Sequence, residues 1–378
     1  MRLKNLKITG LFLLISLYHF AQSGATLVDS ILSGGHYRTY NLYVPTVYNG
    51  TKQVPLLLNL HGYMSNALQQ QFYGNFMPIA DTANFLMVYP QGLTYQGEPF
   101  WNAGLTTSPD DVQFMDDLIN HLRSVYLIDI RRIYSCGMSN GAIMSYYLAG
   151  HLYNRIAAIA SVAGTLFNPW FMSCDPPRPF PVMEIHGTAD SIVPYAGDIN
   201  FAPIDSVIRK WVLHNNCNPS PITYSVPNSN TTDNSLAVNY RYTNGTAGSS
   251  VELYKIFGGG HSWPGALPLF PNTNEDFNAS VEIWRFFRQY RLDAFVSDVG
   301  VEEFGLTTQF RIYPNPSSEV ILVEGAEGAL LTVFATDGQQ ISAESAGTQL
   351  NIASLNPGVY FLKIRKDKVV TIFRFIRN

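Results

Sequence analysis

Only 14% of the 378 residues are charged, and 24 Lys+Arg stand against 28 Asp+Glu for a net charge of −4. The one basic cluster, Lys363, Arg365, Lys366 and Lys368, is too short for a phosphate-backbone footprint, which excludes nucleic acid as a partner. The apolar stretch Ile8 to Phe20 is 13 residues long and is broken by Gly10, Ser16 and His19, well short of the roughly 20 residues an integral membrane span needs. Three cysteines are too few for a disulfide-built scaffold. H-x-x-H, H-E-x-x-H and C-x-x-C spacings are absent, so reading His61, His186 and Asp190 as metal ligands has little support, and neither metal nor cofactor is expected.

What is present is apolar: 46% of the chain is hydrophobic and 13% aromatic, enough for a large core, and the length suggests two domains. Arg2, Lys4 and Lys7 precede the apolar stretch, and Ala21-Gln22-Ser23 follows it with small residues at cleavage-site spacing. Residues 1–23 therefore read as a secretory signal peptide whose removal takes the charge from −4 to −7. Export to an oxidising compartment allows one disulfide. Cys174 and Cys217 lie in loop-like sequence and are the expected pair, whereas Cys136 ends an apolar strand; three unpaired thiols are the alternative.

From Thr26 to Val193 short apolar runs alternate with amphipathic stretches, which predicts an α/β fold with a mostly parallel sheet. Strands are expected at 37–44, 54–60, 84–89, 132–136, 156–162, 182–186 and 251–257, and helices at 203–215 and 275–289. Another helix is expected to start at Ser108-Pro109-Asp110-Asp111, with Ser108 as its cap. The pattern then weakens over 293–304, read as a linker between a domain at 24–292 and a second at 305–378. Six short strands between Phe310 and Phe375, separated by Gly/Asn/Asp turns, predict a small all-β sandwich there.

Gly137-Met138-Ser139-Asn140-Gly141 follows a predicted strand and precedes a helical run, the context of a nucleophile elbow. The turn is so sharp that side chains at both glycine positions would collide. A serine hydroxyl needs a histidine to take its proton and a carboxylate to orient the imidazole. His261 is the candidate base, because it stands in a glycine-rich loop, 258–265, after a strand. Asp190 is the candidate acid, just past the carboxyl end of the strand at 182–186, where open α/β sheets carry functional groups; Glu184 and Asp205 are weaker candidates. The backbone N–H groups of Asn140 and Tyr63 are the candidate oxyanion donors, the latter in the Leu60-His61-Gly62-Tyr63 loop, within which His61 is expected to be hydrogen-bonded. Trp101 and Trp263, in loops, are candidates to line a substrate cleft, as is Trp170. A non-catalytic surface or carbohydrate-binding protein is the reading from another class.

Leu60-His61-Gly62, Asp110-Asp111-Val112-Gln113-Phe114, the elbow, His186-Gly187-Thr188-Ala189-Asp190 and Gly259-Gly260-His261-Ser262-Trp263-Pro264-Gly265 together resemble the polyhydroxybutyrate depolymerase-like esterases, a group overlapping secreted feruloyl and acetylxylan esterases. The resemblance implies an α/β-hydrolase fold with helices on both faces of the sheet, no cofactor, an ester substrate that can be polymeric, and a triad of Ser139, Asp190 and His261. Asn140 departs from the alanine of many polymer depolymerases and points to the esterase branch. Ile312-Tyr313-Pro314-Asn315-Pro316, Leu355-Asn356-Pro357-Gly358-Val359-Tyr360-Phe361 and the basic end resemble the type A sorting domain of the type IX secretion system. That implies passage through the periplasm to the cell surface or the outside, with the secretion machinery as partner.

Overall fold

In the computed structural model, residues 23–267, 270–292, 310–335, 339–342, 345–366 and 369–378 are described. The expected signal peptide and linker lie outside them, apart from Ser23. The chain divides into two compact units, Met1–Ser297 and Asp298–Asn378.

The first unit runs β1 (Ala25–Ser33), β2 (His36–Val44), β3 (Val54–Leu60), α1 (Ala67–Tyr73), α2 (Met77–Ala83), β4 (Leu86–Pro90), β5 (Thr94–Tyr95), β6 (Glu98–Pro99), α3 (Asp111–Val125), β7 (Ile128–Met138) and α4 (Asn140–His151). It continues with β8 (Ala158–Val162), α5 (Asn168–Phe171), β9 (Val182–Gly187), α6 (Ile204–His214), β10 (Ile222–Ser225), β11 (Leu236–Tyr242), β12 (Val251–Phe257) and α7 (Ala279–Phe287). Ten strands form one sheet in the order β1-β2-β4-β3-β7-β8-β9-β12-β11-β10. The six from β4 to β12 are parallel, and an antiparallel pair flanks them at each edge.

Burial on both faces explains why the central strands read as unbroken apolar runs. All seven residues of β3 are buried: Leu56, Leu58 and Leu60 belong to a core that includes side chains of α3, α4 and α6, and Leu57 to a second core that includes side chains of α1, α2 and α7. The cap of α3 is Asp110, whose side chain accepts from Gln113 N–H, and not Ser108. Asp111 is buried instead against Arg38 (2.6 Å) and accepts from Asn102 N–H (2.7 Å), which anchors the segment carrying Trp101.

The second unit has two sheets, with β13 (Arg311–Tyr313), β14 (Val320–Glu324) and β17 (Gln349–Asn351) in one. The other holds β15 (Leu330–Phe334), β16 (Ser345–Ala346), β18 (Gly358–Lys366) and β19 (Val369–Arg377). Ile321, Val323, Leu331, Val333, Leu362, Ile364 and Phe375 fill one shared core, as in a small sandwich.

Candidate active site

Four loops that leave the carboxyl ends of the parallel strands β3, β7, β9 and β12 carry the candidate residues, as expected of an open α/β sheet. Between β7 and α4, Ser139 adopts φ 53° and ψ −118°. A non-glycine residue in so sparsely populated a region stores about 1–3 kcal/mol of strain, which the surroundings must enforce. They do so by close approach. A Cβ on Gly141 would lie 2.2 Å from Leu60 O, and one on Gly137 would lie 2.6 Å from the Gly141 carbonyl carbon. Ser139 N–H donates to Val162 O at 2.9 Å, which ties the elbow to β8.

His261 Nδ1–H donates to Asp190 Oδ2 at 2.8 Å, and this leaves Nε2 as the basic nitrogen of the ring. Asp190 Oδ1 accepts from Ile192 N–H and Val193 N–H, both at 2.9 Å. Burial alone would raise the Asp190 pKa, but His261, His186 and the Val193 N–H together hold it below the ordinary value. The glycines beside His261 serve a close packing of loops: a Cβ on Gly187 would meet Gly259 O at 2.2 Å. Ser139 and His261 line one cavity with no hydrogen bond between them; catalytic hydrogen bonds of this kind often tighten only in the complex with substrate.

The loop after β3 lies against the elbow. A Cβ on Gly62 would stand 3.5 Å from Ser139 Cβ. Met64 N–H donates to Pro99 O and Ser65 N–H to Gly62 O, while the N–H groups of Tyr63 and Asn140 have no acceptor among the described residues. His61 is buried with its Nδ1 on Gly62 O (2.7 Å) and its Nε2 accepting Gly92 N–H (3.0 Å); burial lowers its pKa to about 4. It is a structural residue of this loop.

The cavity measures about 740 Å³, and Tyr63, Met64, Phe72, Tyr73, Ile192, Leu267 and Phe270 give it an apolar wall. Met64, Phe72, Ile192 and Leu267 are each more than 60% exposed, an apolar rim around its mouth. Sequence reasoning missed these residues; the available signal was their adjacency to Gly62, Asp190 and His261 and the apolar spacing of Leu68 and Phe72 on α1.

Three expectations are corrected. Trp101 is fully buried and lines no cleft: its Nε1–H donates to His61 O (2.9 Å), its N–H to Asn140 Oδ1 (2.6 Å), and its carbonyl accepts from Asn140 Nδ2 (3.1 Å). It ties the Gly62 loop to the elbow. Trp263 is also fully buried, with Nε1–H on Ser280 Oγ (3.1 Å) and N–H on the Tyr73 hydroxyl (2.9 Å); it lines a smaller pocket beside Phe72 and Tyr73 and not the cavity of Ser139 and His261. Cys174 and Cys217 form no disulfide; all three cysteines are free and buried. The Cys174 thiol faces Tyr146 O (3.6 Å) and that of Cys217 faces Ser249 O (3.8 Å), separate surroundings that keep the sulfurs apart. Among the described residues, no group of three or more His, Cys, Asp or Glu side chains could hold a metal ion.

Residues 107–217 match the phospholipase/carboxylesterase family, and residues 311–378 match the secretion system C-terminal sorting domain. Among curated relatives, feruloyl esterase B of Piromyces equi is 31% identical over 230 residues, 58% of this chain and 41% of the relative. The bifunctional acetylxylan esterase/xylanase XynS20E of Neocallimastix patriciarum is 28% identical over 276 residues, 73% of this chain and 36% of the relative. The chain thus spans about two fifths of the length of these relatives. The acetyl xylan esterase of Aspergillus awamori shares the fold, with a TM-score of 0.51 at 12% identity over 69% of this chain and 99% of that one. Among the described residues no helix is long and apolar enough to cross a membrane. The sorting domain directs the chain to the cell surface or outside the cell. The first unit has the α/β-hydrolase fold and is similar to feruloyl and acetylxylan esterases, and residues 311–378 match a C-terminal sorting domain of the type IX secretion system.

Proposed function

We propose that the domain of residues 24–292 hydrolyses carboxylic esters through an acyl-enzyme on Ser139. The observation that carries this reading is the 2.8 Å His261–Asp190 hydrogen bond on the same cavity as a strained, glycine-flanked serine. His261 Nε2 takes the hydroxyl proton as Ser139 Oγ attacks the ester carbonyl, and Asp190 stabilises the imidazolium that results. The developing oxyanion accepts from the free N–H groups of Tyr63 and Asn140. His261 then protonates the departing alcohol; water, deprotonated by the same nitrogen, attacks the acyl carbonyl, and that proton passes to Ser139 Oγ as the acyl–Oγ bond breaks and the acid leaves.

For the substrate, a cavity of about 740 Å³ with aromatic and aliphatic walls suits a bulky, ring-bearing acyl group such as a hydroxycinnamate better than acetate. The exposed apolar rim supports a second reading, a water-insoluble polyester of the polyhydroxybutyrate kind, because such a rim can rest on an apolar surface. The test is kcat/KM of the purified protein on methyl ferulate, acetylated xylan, polyhydroxybutyrate and a short aliphatic ester. Ferulate should exceed the acetyl ester by at least about tenfold, the scale of a filled apolar pocket. A preference for acetate would refute the acyl reading, and turnover of the solid polymer would favour the second.

A further inference from the structure

Strand β9 carries two ionisable side chains that this chemistry leaves unused. Glu184 and His186 stand two residues apart, hence on one face of the sheet, and both side chains are fully buried. His186 Nδ1 lies 3.0 Å from Glu184 Oε1, and Glu184 Oε2 accepts from the Tyr146 hydroxyl at 2.8 Å. At the other side of the ring, His186 Nε2 lies 2.8 Å from Val193 O and 3.4 Å from Asp190 Oδ2. A carbonyl oxygen only accepts, so Nε2 carries hydrogen, whichever of Glu184 and His186 holds the proton between them. Asp190 Oδ2 therefore faces two histidines, His261 at 2.8 Å and His186 at 3.4 Å.

We propose that His186 is a positioning residue for Asp190: its Nε2–H, bonded to Val193 O, set by the Glu184 carboxyl at Nδ1 and 3.4 Å from Asp190 Oδ2, fixes the 190–193 turn and keeps the carboxylate aimed at His261. The proposal rests on Asp190 and His261 being the pair that serves Ser139. The groups facing His186 are Glu184 and Asp190 at its nitrogens and the Tyr195 ring edge at 5.9 Å, with Tyr146 behind Glu184. Burial alone would push the His186 pKa down, but Glu184 and Asp190 raise it above the ordinary value, and burial raises that of Glu184; both shifts keep the proton on the pair. The clamp also closes the 190–193 turn, since Val193 N–H holds Asp190 Oδ1 while Val193 O holds His186.

The test uses the full chain and a Glu184→Gln parent, so that no lone carboxylate is left buried. Adding His186→Leu should lower kcat about tenfold or more, the scale of losing one buried hydrogen bond to the turn and the polar contact with the carboxylate, with KM within about twofold. Adding His186→Gln, which returns an N–H near the Nε2 position, should recover most of the loss. Nitrogen-15 NMR of the Ser139→Ala protein should show His186 Nε2 protonated at neutral pH, with a resonance that moves on Asp190→Asn; this reading decides the matter if the leucine variant does not fold. A folded leucine variant with the parent's kcat, or an unprotonated Nε2, would overturn the proposal. Activity surviving in Ser139→Ala would instead refute the ester-hydrolase reading beneath it.

Discussion

Replacing Asn140 by alanine would remove a side chain that accepts Trp101 N–H at 2.6 Å and donates to Trp101 O at 3.1 Å. Trp101 is fully buried, so both of its backbone polar groups would be left without partners unless water entered. Each unpaired buried group costs about 1–3 kcal/mol, which puts the loss of stability at about 2–4 kcal/mol after partial relaxation. In a domain of this size that is about 5–15 °C in Tm. The catalytic effect should be separate. Asn140 N–H is the proposed oxyanion donor, and Trp101 also grips His61 O at 2.9 Å, so loosening Trp101 frees both walls of the oxyanion site together. Losing one such donor costs roughly 2.7–4 kcal/mol, and a loosened pair should cost part of that, about tenfold or more in kcat with little change in KM. Scanning calorimetry through the unfolding transition, and steady-state kinetics on a soluble ester well below it, measure the two effects. If Asn140→Ala kept wild-type kcat and Tm, the role given to this clamp would be refuted.

Two further predictions concern buried groups. Burial lowers His61 to about 4 from its ordinary 6.5, so the unfolded chain binds a proton there before the folded one does, and stability should fall as pH drops from about 6.5 to 4 by about 3 kcal/mol. Denaturant titrations of wild type and His61→Gln at pH 7 and pH 4.5 should give the smaller loss for the variant; equal losses would count against a buried neutral His61. With its three thiols free, and burial pushing Cys174 and Cys217 up to about 11, the protein should keep its Tm in dithiothreitol and react with iodoacetamide only once unfolded. A mass two hydrogen atoms lighter before reduction than after it would reveal a disulfide.

The strands that position the site were legible in the sequence because they are buried on both faces. Val54–Leu60 and Val251–Phe257 match the expected ranges to the residue. The edges were not. Every residue of β10 is exposed, which leaves no alternation to read, and in β1 the outward-facing Val28 and Leu32 are apolar, which masks the alternation of its burial. The short helices α1 and α2 lacked the length to show a period, and Pro78 sits within α2. Ser139, Asp190 and His261 could be singled out from local context, because sharp turns demand glycine and the sheet sets where loops emerge. What Trp101, Trp263 and the cysteines do depends instead on partners far along the chain, 40 residues from Trp101 to His61 and 190 from Trp263 to Tyr73, and local context carries no trace of that.

The most direct measurement for the central claim is the intact and peptide mass of the protein after treatment with a fluorophosphonate, alongside turnover of methyl ferulate. One adduct per chain is expected, on the peptide containing Ser139, with hydrolysis lost in proportion. Ser139→Ala should neither label nor turn over ester, and its Tm should stay within a few degrees, since alanine at this position removes no buried contact. Labelling at another serine, or hydrolysis by Ser139→Ala within about tenfold of wild type, would contradict the central claim, because loss of a true nucleophile costs far more than that.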